Sequence, residues 1–146
     1  MLLHIVSFIS NEYSITKYPN ITFLIVVNPA SGPGALPLPD SNYVREIRCL
    51  NSQANIRTLG YVSTNYAKRD LDAVKADIEK YSAWHGAGLG LHGIFFDEAP
   101  AEYSADSADF LLEAQREARH APGFTAECLV RLYHWQTNNC LWRLLH

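Results

Sequence analysis

The chain has 146 residues, 48% hydrophobic and 18% charged, with a formal net charge of -3 and a pI near 6.0. That balance suits one globular domain with a single core, and the lack of a basic footprint argues against nucleic acid as a partner. Basic pieces such as Lys68-Arg69 sit among acids and read as solvated surface.

Met1 to Ser10 is mildly apolar but has no basic leading region and no small-residue cleavage site, so it does not read as a signal peptide. Nothing in the chain approaches the roughly 20-residue apolar run of a membrane span. Asn20-Ile21-Thr22 is an N-x-T sequon, a weak pointer to secretion. Ile21 to Val27, ITFLIVV, is apolar without alternation, which suits a strand buried on both faces in a parallel sheet. Asn28-Pro29 ends it, and a loop follows with Gly32, Pro33, Gly34, Pro37 and Pro39. Asp40 or Ser41 can cap a helix to about Leu50 whose apolar face is Tyr43, Val44, Ile47 and Leu50.

The cycle then repeats. Ile56 to Val62 predicts a second strand, Ser63 to Arg69 a polar turn, and Asp70 the cap of a helix with Leu71, Val74, Ile78 and Tyr81 in one stripe. Trp84 lies near that stripe and reads as core. Leu91 to Phe96 predicts a third strand running into Asp97-Glu98-Ala99-Pro100, and a third helix covers about Ser107 to His120. Three strand–loop–helix units are the pattern of a parallel α/β protein. A complete (β/α)8 barrel needs at least about 200 residues, so the expectation is an open sheet or a partial barrel of about three units. Phe124 to His146 breaks the rhythm, and an amphipathic helix is expected over about Thr125 to Gln136.

In parallel α/β folds the functional side chains gather at the C-terminal ends of the strands. Those ends bring Asn28, Ser63 to Tyr66, and Asp97-Glu98 to one face of the sheet. Two acids after the apolar run GIFF set carboxylates at the mouth of a low-dielectric core, where acid–base work is favoured. Strand alternation predicts that only one of them points to the centre. Tyr61 and Tyr66 are candidate sugar-stacking platforms, and Asn28 a candidate contact on the same face. His92, at the other end of its strand, reads as structural. The loop Ser31-Gly32-Pro33-Gly34 invites a nucleotide-binding reading, but a third glycine is missing and Pro33 removes an N–H. Cys49, Cys128 and Cys140 form no C-x-x-C pair, and the six histidines show no metal spacing, so no metal or other cofactor is expected. If the chain is secreted one disulfide can form, and the sequence does not choose its pair.

Taken together, KYPNITFLIVVNPASGPG (17–34), LNSQANIRTLGYVSTNYAKRD (50–70) and DIEKYSAWHGAGLGLHGIFFDEAP (77–100) resemble spherulation-specific family 4, the spherulin 4-like proteins of fungi and slime moulds. Some of its members are classed as glycoside hydrolase family 135. The resemblance covers roughly Ser14 to His120, and residues 121–146 are expected to diverge from the family pattern. It implies a TIM-barrel fold, an extracellular or cell-surface setting, and endo-cleavage of α-1,4-linked N-acetylgalactosamine in fungal galactosaminogalactan. It also implies that Asp97 and Glu98 are catalytic, and that a further glutamate comes from a later strand beyond the matching stretch. The first barrel strand is expected to be missing upstream, and the chain taken alone is expected to be impaired in turnover. Unpaired sheet edges would then favour self-association. The alternative is a carbohydrate-binding or cell-surface protein, or a residual fragment, that uses the same face without cleavage.

Overall fold

The computed structural model describes residues 2–4, 17–124 and 129–132. The elements are β1 (Leu2–His4), β2 (Phe23–Val27), α1 (Ser41–Asn51), β3 (Ile56–Ser63), α2 (Leu71–Ala83), β4 (Gly93–Asp97), α3 (Ala105–His120) and β5 (Leu129–Leu132), with a short 3-10 turn at Trp84–Ala87. The five strands form one sheet in chain order, and every neighbouring pair is parallel. The three expected strands are its centre.

Each helix begins where a side-chain oxygen meets its free N–H groups. Asp40 accepts from the amides of Asn42 and Tyr43, Asp70 from that of Asp72, and Ser104 from that of Ser107. The apolar stripes of α1, α2 and α3 all enter one core, with Ile47, Val74, Ile78, Tyr81, Ala114 and Ala118 against Val27, Val62, Ile94 and Phe96 of the strands. These strand residues share one side of the pleat, so all three helices cover the same face. Sequential parallel strands with helices on one face alone form the wall of a (β/α) barrel; a doubly wound sheet would carry helices on both. The opposite, inner face carries a second cluster, Val26, Leu59, Tyr61 and Phe95.

Two expectations are corrected. A strand does precede β2: Leu2, Leu3 and His4 pair in register with Leu24, Ile25 and Val26. Three residues are too few to show a period, and only the open edge of β2 marks them. Within the stretch expected to be helical, Leu129–Leu132 is a strand on β4, with Ile94 opposite Val130 and Phe96 opposite Leu132. Val130 and Leu132 pack on the helix-side core. A short apolar run fits either period, and the free edge of β4 decides between them. The remaining residues of that predicted helix lie outside the described residues.

Gly60 of β3 is a site of close approach. A Cβ there would lie 2.7 Å from two ring atoms of Tyr81. That ring has no room to yield: it is fully buried, meets Trp84 edge-to-face at 4.8 Å, and donates its hydroxyl to the Val27 carbonyl at 3.1 Å. Gly60→Ala is expected to destabilise the fold by about 1–3 kcal/mol, measured by urea unfolding. An unchanged midpoint would mean that the α2–sheet packing is looser than these contacts require.

Candidate functional site

The strand ends bring the expected residues to one mouth, and the register accounts for it. Ser63, the last residue of β3, stands opposite Asp97, the last of β4; Tyr61 stands opposite Phe95. In a parallel ladder opposed residues point to the same side, so Tyr61, Ser63 and Asp97 all face inward with Val26 and Leu59.

Asp97 is almost completely buried, at 6% exposure. A buried carboxylate requires donors to offset its lost hydration. Both oxygens have one: the Tyr61 hydroxyl donates to Oδ2 at 2.9 Å and the Glu98 amide to Oδ1 at 2.8 Å. The carboxylate is therefore fixed in orientation as an acceptor on each side.

Glu98 departs from expectation. Alternation predicts a side chain turned to the helix side, away from Asp97. Its backbone instead adopts a left-handed φ of 54°, and its carboxylate returns to the inner face to accept from the Ser63 hydroxyl. Both acids thus share one mouth. Asn65, Tyr66 and Ala67, in the loop after β3, are also left-handed, at φ of 47°, 57° and 60°. Each such non-glycine residue costs about 1–2 kcal/mol, so this rim holds strain that the surrounding bonds must offset. Among the described residues neither Asp97 nor Glu98 is in an ion pair; the pairs are Arg45–Glu46, Arg69–Asp77 and Glu113–Arg116.

The other candidates take different parts. Tyr61 does not offer an open ring face: the residue is 9% exposed within the inner cluster, and its hydroxyl serves Asp97. Tyr66 is half-buried on the loop beside the acids, and its amide donates to the Glu98 carbonyl at 2.7 Å. Asn28 shapes its own loop; its Oδ1 accepts from the Gly32 amide at 2.9 Å, and its carbonyl accepts from the Tyr43 hydroxyl at 3.0 Å. That engagement also argues against a phosphate cradle. The Gly32 N–H is spent within the loop, and the Asp77 carboxylate lies 3.5 Å from where a Gly32 Cβ would be, repelling an anion. Lys80 and Trp84 tie the loop down through the carbonyls of Gly34 and Pro37. Ser63 was part of the expected turn, but only the register shows that its hydroxyl reaches Glu98.

Away from this mouth, His92 Nδ1 accepts from the Thr58 amide at 3.1 Å, and burial, then Arg57, lowers its pKa. A cavity of about 500 Å³ opens between the C-terminal ends of α2 and α3, lined by Glu79, His85, Glu117 and His120 among others. Among the described residues no three His, Cys, Asp or Glu side chains are grouped to hold a metal ion. No helix among them is long and apolar enough to cross a membrane.

The tyrosines give the protein an alkaline limit. Burial, reinforced by the bond to Asp97, raises the Tyr61 pKa well above its ordinary 10.0; burial, then the nearby Asp77 charge, does the same for Tyr81. The folded values exceed the unfolded ones. The stability these groups contribute is therefore complete below about pH 10 and is lost as pH climbs toward the folded values. Urea unfolding between pH 8 and pH 11 is expected to show that decline, with a shallower slope in Tyr81→Phe. A flat profile would contradict the burial of both hydroxyls.

Comparison with known proteins matches this geometry to a family. The model of spherulation-specific family 4 matches residues 11–134. The crystal structure of Aspergillus clavatus Sph3 in complex with GalNAc superposes with a TM-score of 0.81 at 44% sequence identity, covering 84% of this chain. The match spans 50% of the Sph3 chain, so the present sequence corresponds to about half of that protein. No curated protein matches. With the family pattern running through all three central strands and the loops that carry the two acids, the chain belongs to spherulation-specific family 4.

Proposed function

We propose that this chain forms the N-acetylgalactosamine-handling part of a glycoside hydrolase that cleaves galactosaminogalactan internally, in an extracellular or cell-surface setting. The observation that carries the reading is the delivery of Asp97 and Glu98 to one inner mouth, in a chain 44% identical to a protein crystallised with GalNAc. Asp97, held on both oxygens, suits the charge that stabilises an oxocarbenium-like transition state or attacks it; Glu98 assists or binds sugar. Glycosidases place two carboxyl groups on either side of the scissile bond, about 5–5.5 Å apart when retaining and wider when inverting. Asp97 and Glu98 are adjacent on one strand end, and the family resemblance implies that the carboxyl group facing them comes from a later strand.

That division favours a second reading for these 146 residues taken alone: sugar binding without turnover. Titration with GalNAc followed by amide NMR tests both. Shifts confined to Ser63–Ala67 and Asp97–Glu98 support the site, and oligosaccharide release by the same sample would favour full catalysis over binding. A titration that leaves those amides unmoved would overturn the carbohydrate reading.

A further inference from the structure

The mouth works only because Glu98 leaves the strand's alternation, and the bonds around its backbone identify what holds it there. Thr64 follows Ser63 and has no exposed surface. Its amide donates to the Asp97 carbonyl at 3.0 Å, continuing the ladder one residue beyond β3 and β4. Its hydroxyl lies 3.1 Å from that carbonyl and 2.8 Å from the carbonyl of Glu98. Tyr66, in the left-handed turn, adds its amide to the Glu98 carbonyl at 2.7 Å. Arg69 anchors the same loop from behind, donating to the Ser63 carbonyl at 3.0 Å and to Asp77 at 2.6 Å, while its amide bonds the Thr64 carbonyl at 3.3 Å.

We infer that Thr64 is a positioning residue for the acidic pair: its hydroxyl fixes the left-handed backbone of Glu98 and so aims that carboxylate at the mouth shared with Asp97. The Glu98 carbonyl takes two donors inside the protein, the Tyr66 amide at 2.7 Å and the Thr64 hydroxyl at 2.8 Å, one for each lone pair. The amide alone leaves the second lone pair unmet and the left-handed backbone held from one side only. A valine would fill the same volume and bring no donor. Serine would keep the donor and lose only a methyl group. Thr64 itself need not touch a ligand; it acts through Glu98.

The inference rests on the proposed carbohydrate site for its ligand readout, but its structural readout is independent of that site. Thr64→Val, Thr64→Ala and Thr64→Ser are made in the full chain, their structures determined and GalNAc titrated against each. In the valine and alanine variants Glu98 is expected to leave the left-handed region and part from Ser63, and the GalNAc Kd to rise about tenfold, the weight of one buried hydrogen bond. In the serine variant both the contact and the affinity should return to within about twofold of the parent. Lost packing alone would lower the melting temperature and leave Thr64→Ser and Thr64→Ala alike in Glu98 geometry. Should the valine variant not fold, the alanine–serine pair carries the comparison, since the two differ by the hydroxyl alone. Glu98 unmoved in the variants lacking the hydroxyl would overturn the inference. A parent chain that ignores GalNAc would end the carbohydrate reading instead, and the position of Glu98 in the variants would still decide the role of Thr64.

Discussion

Asp97→Asn is expected to lower polysaccharide turnover by about 10³-fold while leaving sugar affinity nearly intact. The assay joins these 146 residues to the portion of Aspergillus clavatus Sph3 outside the matched half, so that a carboxyl from a later strand faces the pair. Asparagine keeps the shape of the site: its carbonyl still accepts from the Glu98 amide, and its NH2 group can donate to the Tyr61 hydroxyl. What it removes is the negative charge of a residue only 6% exposed, a water-poor setting where charge matters most. Alternation along β4 alone would make Glu98→Gln the milder change, since an extended Glu98 would face away. The left-handed backbone and the bond to Ser63 reverse that expectation, and the two losses should be comparable. The 146-residue chain alone should release no oligosaccharide. Full activity in Asp97→Asn would refute its assignment as nucleophile or charge stabiliser, and turnover by the chain alone would refute the need for a later carboxyl.

The largest effect on stability is expected at Gly123, in the turn between α3 and β5. A Cβ on this residue would fall 1.8 Å from the carbonyl oxygen of Ser82 and 2.5 Å from its carbonyl carbon. The obstacle is backbone near the end of α2, which cannot swing aside as a side chain can. Gly123 also donates its amide to the Ser82 hydroxyl at 2.9 Å, so moving the turn breaks a buried bond as well. Gly123→Ala is therefore expected to cost about 3 kcal/mol, which for a chain of this size lowers the melting temperature by roughly 10 °C. Differential scanning calorimetry measures it directly. A loss no larger than that of an exposed glycine such as Gly86 would show that the turn after α3 is not seated on α2 in this way.

Much of the frame is legible in the amino-acid sequence itself. The runs at 21–27, 56–62 and 91–96 could be read because a strand buried on both faces is apolar at most positions. The helices could be read because their stripes repeat at helical spacing behind Asp40 and Asp70, whose short acidic side chains compete for free N–H groups. Strand–helix alternation then requires Asn28, Ser63 and Asp97 to end on one side, and the candidate acids followed from that rule together with the family resemblance.

Tertiary structure alone decided the rest, because each remaining feature depends on a partner distant in the chain. Leu2–His4 and Leu129–Leu132 are strands because β2 and β4 offer edges to pair with; neither segment is long enough to announce its own period. The role of Tyr61 was set by Asp97, 36 residues away, which captures its hydroxyl. Above all, the direction of Glu98 could not follow from its own strand. Local alternation sends it outward, and only a left-handed backbone bonded by Thr64 and Tyr66 from the neighbouring loop returns it to the mouth. Propensity and periodicity act over a few residues, whereas a strained backbone persists only where long-range bonds offset its cost.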